Sequence, residues 1–377
     1  MYIYYMKQKL FALFILAALV GCKSGSKITT ATIAPWQGFV DSAINKNIPG
    51  VLVHIESREK KISWSGASGV ADKQTGAALL PNQTFRIASV TKTFVACTIL
   101  RLYEEGKLML DDAISKYISE KHNQILKQGG YHTEKITIRH LLTHSAGLFD
   151  HTNAPIYFER VFKDSSYKWT RTEQLEIAAK YGKPIGEPGK QFGYSDTGYI
   201  LLGEIIEHIL GTTLNDGILQ MLRLEKQGIN NTFMEGEFKI ATNRIHQYYN
   251  GIDTYHFSPS IDLYGGGGLL STTSDLARFF LNLFSNKVFR KAATLELMLT
   301  KMNYDKPPAL DYRMGIYLIK INGLEAYTHT GFWGTQVVYI PQLKTAVATN
   351  YSQAWRTKGS PAAPVITKIV TELASAK

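Results

Sequence analysis

Ser89-Val90-Thr91-Lys92 places a hydroxyl and an amine three residues apart at the start of an apolar segment. On a helix that spacing puts both side chains on one face. A neutral amine there can take the serine proton and leave an oxygen able to attack a carbonyl carbon. Spacing alone is a weak signal, because the same S-x-x-K pattern also starts at Ser24, Ser57 and Ser165. Ser24 lies beside a processed N-terminus, and Ser57 and Ser165 sit in charged or polar stretches with no apolar helix behind them. After Ser89 come Val95, Ile99 and Leu102 at helical spacing, thickened by Phe94, Cys97 and Thr98. A lysine entering such a helix is partly desolvated, which suits it to base chemistry. A surface lysine beside an N-capping serine would give the same four letters.

Two later segments offer groups that such a reaction would use. Gly193-Tyr194-Ser195-Asp196 follows the loop Gly186-Glu187-Pro188-Gly189 and precedes an apolar helix. A tyrosine on that turn can project its hydroxyl into a cleft, as a phenolate or as a proton relay; otherwise it is a buried tyrosine beside an N-capping Asp196. The segment is one residue too long for the G-x-S-x-G turn of lipases, and no strand precedes it. His329-Thr330-Gly331 ends a strand and is followed by Phe332-Trp333-Gly334. A glycine on an edge strand lets another backbone come close, so a substrate can lie there with its carbonyl oxygen held by backbone N–H groups. His140 and His144 stand four apart, but no carboxylate of the H-E-x-x-H kind accompanies them, so no metal site is expected.

These groups need elements to hold them. A helix is expected over Ile33–Asn47, ended by Pro49-Gly50, and a hairpin over Val51–Ile55 and Ile62–Ser68. The Ser89 helix should run to about Glu105 and stop at Gly106. From there to about Tyr249 the chain reads as helical and loop-rich, with helices at Ile138–Thr143, Glu173–Tyr181 and Thr197–Leu210. Gly265–Gly268 reads as a hinge before a capped helix at Thr273–Phe284. Strands are expected at Tyr312–Ile319, Glu325–Thr330, Gln336–Ile340 and Thr345–Asn350, then a helix over Ala362–Leu373. If the first hairpin and the last strands share one sheet, the helical middle is an insertion. The fold class that follows is α+β: an antiparallel sheet flanked by N- and C-terminal helices, with a large, mainly helical lobe (about 106–250) inserted. The Ser89 helix then lies at the seam, where clefts form.

The N-terminus carries an address. Lys7 and Lys9 precede an uncharged run from Leu10 to Gly21, too short for a comfortable membrane span and suited to a signal peptide. It ends Leu19-Val20-Gly21-Cys22, which resembles a bacterial lipobox. The expected organisation is a lipoprotein signal at 1–21, a tether at 22–32 and one catalytic domain at 33–377. Lipid on Cys22 would hold the protein at a membrane of the bacterial envelope, facing the periplasm. Of the 2 cysteines only Cys97 is then left, so no disulfide is expected and Cys97 should pack as a small hydrophobe. The chain is basic, with 42 Lys+Arg against 31 Asp+Glu, but the positive charges are dispersed, which argues against nucleic acid as a partner.

Together, Ser89-x-x-Lys92, Tyr194-x-Asp196 and His329-Thr330-Gly331 resemble the ordered S-x-x-K, Y-x-N and K/H-T-G motifs of the penicillin-recognising serine hydrolases. That family includes class C β-lactamases, D-alanyl-D-alanine carboxypeptidases and related esterases. Phe85-Arg86-Ile87-Ala88, the stretch from His140 to Leu148 and Gly265–Thr272 extend the likeness over most of the chain. The resemblance implies a β-lactamase/transpeptidase-like fold and an acyl-enzyme at Ser89, with Lys92 and Tyr194 sharing the proton transfers. It also implies an oxyanion hole from the N–H groups of Ser89 and Phe332, and substrate orientation by Asp196, His329, Thr330, Gly331 and Phe332. No cofactor is implied. Substrates would be small D-amino-acid peptides, including cell-wall fragments, or esters. Asp196 replaces the usual asparagine and His329 the usual lysine, so β-lactam hydrolysis should be weak or absent. His329, partly charged near neutral pH, would pair with a substrate carboxylate. A second reading within the same fold is a penicillin-binding or sensor protein that turns over slowly or not at all.

Overall fold

The structure is a computed structural model that describes residues 36–236, 243–306, 308–355 and 364–375. The signal, the tether and Cys22 lie outside the described residues. In chain order, α1 (Trp36–Asp41) leads into the hairpin β1 (Gly50–Ser57) and β2 (Ile62–Gly69), and β3 (Phe85–Arg86) precedes α2 (Thr91–Glu104). Then come α3 (Glu120–Gln128), α4 (Ile138–Leu142), α5 (Pro155–Lys163), α6 (Arg171–Tyr181), α7 (Asp196–Leu210) and α8 (Leu214–Leu222). Short strands β4 (Phe233–Met234), β5 (Tyr248–Tyr249), β6 (Ile252–Asp253) and β7 (Leu269–Ser271) lead to α9 (Thr273–Leu283) and α10 (Ala292–Met298). The chain ends with β8 (Asp311–Tyr312), β9 (Tyr317–Ile321), β10 (Leu324–Gly331), β11 (Thr335–Ile340), β12 (Thr345–Tyr351) and α11 (Pro364–Ser375).

The main sheet has seven strands in the order β2-β1-β12-β11-β10-β9-β8, with every neighbouring pair antiparallel. The first hairpin therefore pairs with the last strand, Val51 opposite Tyr351 and Glu56 opposite Ala346. The chain leaves this sheet after β2 and re-enters it at β8, as the α+β expectation requires. Period-2 alternation divides the core. Val51, Val53 and Ile55 join Val338, Ile340 and Val347 on the face covered by α1 and α11, where Val40, Ile366, Ile369 and Val370 complete the layer. Leu52, Val337, Ala346 and Ala348 point the other way, into the core shared with α2 and α9. Phe94 of α2 stacks on Phe279 of α9, with ring centroids 3.9 Å apart. The second face is thus covered by the helix that follows the nucleophile candidate.

Two expectations change. The N-terminal helix is described only over Trp36–Asp41. Asn45 then accepts from Asn47 N–H through its side chain and from Ile48 N–H through its carbonyl, and such local bonds compete with helix. The strand expected over Tyr312–Ile319 is two strands folded on each other, Asp311 opposite Leu318. Arg313 N–H donates to the Ile316 carbonyl at 2.7 Å, and Gly315 turns the chain at φ +77°. The sequence Arg313-Met314-Gly315 carried that turn, hidden inside an otherwise strand-like run. Among the described residues no helix is long and apolar enough to cross a membrane.

Candidate active site

Ser89 sits in a single turn of 3₁₀ helix, Ala88–Val90, that runs directly into α2. Ala88 takes φ +46°, a left-handed conformation that costs energy in a residue with a β-carbon. This sharp entry leaves Ser89 half-buried, while Ala88 and Val90 on either side are fully packed. No side chain caps the N-terminus of α2, so the dipole of a 14-residue helix points its positive end at this turn. β10 closes on the same place. A β-carbon on Gly331 would lie 2.0 Å from the Ile87 carbonyl oxygen, so only glycine lets the strand end meet the backbone before Ser89.

Lys92 is fully buried. Its Nζ lies 2.8 Å from Ser89 Oγ and 2.5 Å from the Gly266 carbonyl oxygen, and forms an ion pair with Asp196 Oδ1. The three contacts come from three parts of the chain: the Ser89 turn, the glycine run and the start of α7. Asp196 is the first residue of α7 rather than its cap; the cap position belongs to Ser195. From there its carboxylate faces Lys92. The glycines read from the sequence as a hinge place a backbone acceptor on the lysine instead.

Tyr194 completes this group. Its phenol interacts with the Ser89 side chain, and Lys92 Nζ lies 5.0 Å from its ring centroid. Burial of the phenol, with the Asp196 carboxylate nearby, pushes its pKa well above the usual tyrosine value. Tyr194 is therefore a neutral phenol at neutral pH, which favours the proton-relay role over the phenolate. His144 braces it from behind with ring centroids 4.1 Å apart, and also packs on Tyr199 and Tyr312. His144 Nδ1 accepts the Ser195 N–H at 3.2 Å, while His140 Nδ1 accepts the Thr137 N–H at 3.2 Å. The two histidines thus set backbone turns, each from its own ring.

His329 requires a correction. It is 1% exposed, its Nδ1–H donates to the Thr330 carbonyl at 2.8 Å, and its Nε2 faces the Tyr312 hydroxyl at 3.4 Å. Burial, reinforced by the positive Lys92, pushes its pKa down to about 3. The ring is neutral over the whole physiological range and does not supply the cation expected for a substrate carboxylate. Thr330 is the exposed residue of this strand end, and Phe332 is half-buried beside it.

The sequence did not single out the two further carboxylates near Asp196. Asp150 caps a 3₁₀ turn through Thr152, and Asp262 accepts from Trp333 Nε1 at 3.2 Å. Burial, then repulsion from Asp196, raises both pKa values to about 7. His151 is buried close by and depressed to about 4, chiefly by burial. Neither aspartate has a motif of its own, and only the folded chain brings them beside α7. Cys97 is buried and unpaired, with its thiol pKa raised by burial, as its place in the apolar stripe predicts.

Comparison with known proteins bears on this geometry. The Beta-lactamase family model matches residues 33–364. The chain belongs to the β-lactamase family. Penicillin-binding protein 4* of Bacillus subtilis is 28% identical over 326 residues, covering 78% of this chain and 68% of its own. Esterase EstB of Burkholderia gladioli is 38% identical over 108 residues, or 29% of this chain and 27% of the esterase. The chain spans about half the length of several other curated relatives. Among solved structures, D-amino acid amidase from Ochrobactrum anthropi SV3 superposes with a TM-score of 0.77 at 20% identity, covering 91% of this chain and 98% of the amidase. A D-stereospecific amidohydrolase from Streptomyces gives 0.74 at 23%, covering 88% and 96%. These likenesses bear out the fold class, and the family makes the chain a β-lactamase-related serine hydrolase.

The neutral His329 ring has a measurable consequence. An unfolded histidine titrates near ~6.5, so between about 6.5 and 3 the unfolded chain binds a proton that the native ring refuses. The contribution of His329 to stability is thus complete above about 6.5 and declines as pH falls, by up to ~1.4 kcal/mol per pH unit. Asp150 and Asp262 act with the opposite sign: their raised pKa values favour the fold at low pH, and that contribution is lost as pH rises through about 7. Comparing wild type with His329→Gln isolates the histidine. In urea unfolding, the wild type should lose ground to the variant as pH drops from 6.5 to 4. A difference independent of pH would mean that the ring carries its charge in the fold.

Proposed function

We propose that this chain is an envelope-anchored serine hydrolase that forms an acyl-enzyme at Ser89. It acts on small esters or on amides and peptides of D-amino acids, with little β-lactam hydrolysis. The observation that carries the reading is the threefold contact of Lys92 with Ser89, Gly266 and Asp196. Lys92 Nζ donates to Ser89 Oγ and Gly266 O and forms an ion pair with Asp196 Oδ1, so an amine that gives up one proton has its lone pair beside the Ser89 hydroxyl. After it takes the serine proton, the ammonium keeps Gly266 O and the Asp196 carboxylate beside it. Asp196 offsets the positive charge that forms, much as the aspartate does in a Ser-His-Asp triad.

Ser89 Oγ bonds to the substrate carbonyl carbon while its proton passes to Lys92. Backbone N–H groups of Ser89 and Phe332, at the helix end and the strand end, stabilise the oxyanion. As the C–O or C–N bond breaks, the Tyr194 hydroxyl hands a proton to the leaving alcohol or amine and is reprotonated from Lys92. Water then attacks the acyl-enzyme by the reverse relay, releasing the acid and restoring Ser89. Charge favours uncharged or amine-bearing substrates. Asp196 brings an anion to the cleft, His329 brings no cation, and Lys92 is already paired. A terminal carboxylate, as in β-lactams and D-alanyl-D-alanine peptides, gains little here. The reading of a slow penicillin-binding or sensor protein draws support only from the relatives' names, whereas the assembled Ser89, Lys92 and Tyr194 favour turnover.

Ser89→Ala should abolish turnover of a neutral p-nitrophenyl ester, and Lys92→Ala should slow acylation by ~10²–10⁴-fold, the usual worth of a positioned base. Both variants should keep the wild-type circular dichroism spectrum. Full activity in Ser89→Ala would overturn the assignment.

Anchoring rests on the sequence Leu19-Val20-Gly21-Cys22. Cys22→Ser expressed in a bacterial host should move the protein from the membrane fraction to the soluble one; unchanged membrane association would rule out lipid on Cys22.

A further inference from the structure

Beyond the charged group around Lys92, the cleft has an aromatic side that the mechanism does not use. Ala88, the residue before the nucleophile, packs in one apolar cluster with Tyr157, Trp169, Phe257 and Trp333, and Phe158, Tyr249 and Phe332 lie against it. The Phe158 and Phe332 ring centroids are 5.7 Å apart, as are those of Tyr249 and Phe332. Phe158 and Tyr249 stack at 6.2 Å, and Phe162 continues the surface 5.3 Å from Tyr249. The rings come from α5, from β5 and from the turn after β10, so both the helical region and the sheet contribute. Phe158, Tyr249 and Phe332 are half-buried and Phe162 is 38% exposed, so the wall reaches solvent along one edge.

Position decides what this wall meets. Phe332 follows Gly331, which touches the backbone before Ser89, so the wall begins where the reacting carbonyl must sit. Tyr194, which protonates the leaving group, packs instead on His144 and Tyr312. The leaving group departs on the Tyr194 side, and the acyl half of the substrate lies on the side of Phe332. We propose that the Phe158–Tyr249–Phe162–Phe332 wall is an acyl-group subsite that selects uncharged esters or amides whose acyl half carries an aromatic ring. This rests on Ser89 as the nucleophile. An aromatic acyl group would bury its ring against Phe158 and Phe332 in offset or edge contact, whereas an acetyl group reaches none of these rings.

The test uses p-nitrophenyl acetate and p-nitrophenyl phenylacetate, which share one leaving group, on the mature protein, with each rate divided by that of hydroxide alone. The phenylacetyl ester should be preferred in kcat/KM by at least about tenfold, the scale on which apolar pockets discriminate. Phe158→Ala and the solvent-side variant Phe162→Ser should each reduce that ratio, with Phe158→Ala bringing it towards one. Phe162→Ser alters an exposed side chain, so its result stands even if Phe158→Ala fails to fold. No acyl preference in the wild type, or a preference untouched in Phe162→Ser and in a folded Phe158→Ala, would overturn the subsite. If Phe162→Ser instead turns a dimer into a monomer at an unchanged ratio, the wall belongs to a second copy of the chain and the proposal fails. If the wild type turns over neither ester and Ser89 takes up no acyl group, the acyl-enzyme reading itself fails, and the subsite with it.

Discussion

A lysine with no exposed surface needs partners for its donors, and Lys92 finds them in its own turn at Ser89 and in two distant parts of the chain, Gly266 and Asp196. Removing such a group from water costs several kcal/mol unless partners replace the solvent. The fold around it is organised by that requirement. The 3₁₀ turn brings Ser89 to the amine, α7 begins at Asp196 so that its carboxylate faces the amine, and the glycine run exposes a carbonyl to it. Gly265 takes φ +115° with the Tyr199 carbonyl 2.6 Å from where its β-carbon would be, so the run is pressed against α7. The groups proposed to do chemistry and the groups that hold the helices together are therefore the same.

Charge around this centre is close to balance by design of the neighbourhood rather than by pairing alone. Asp196 is matched by Lys92, and burial raises the pKa values of Asp150 and Asp262 to about 7, so that each gives up much of its charge at neutral pH. The histidines at 151 and 329 are held uncharged for the same reason. Low dielectric thus acts in both directions, raising the carboxyl pKa values and lowering those of the imidazoles around the Lys92–Asp196 contact beside Ser89. Such a site suits a reaction in which charge appears transiently on the substrate oxygen.

Much of this was legible in the sequence. The S-x-x-K spacing, the apolar stripe behind it, the turn at Tyr194 and the strand ending at Gly331 all meet in one place in the folded chain. Alternation in Val51–Ile55 and in the last strands was enough to pair the two ends of the chain. What escaped was three-dimensional. Nothing local marks Asp150 or Asp262 as neighbours of Asp196, because they come from separate loops. The charge state of His329 depends on burial beside Lys92 and against Tyr312, which no strand pattern reveals. The Gly265–Gly268 run was visible, but its use as an acceptor for Lys92 required knowing which helix it meets. The shortened first helix and the folded-back strand at Gly315 failed for a simpler reason: asparagine and glycine turns were present but outweighed by apolar periodicity.

In the proposed mechanism the buried Lys92 makes Ser89, and no other serine, the group that attacks. The most direct measurement is peptide mapping by mass spectrometry after brief exposure of the wild-type protein to a fluorophosphonate, an uncharged probe that reports activated serines. Activation of Ser89 by Lys92 gives one phosphonyl adduct, on Ser89. No adduct, or an adduct on Ser195 or another serine with Ser89 unmodified, would contradict it.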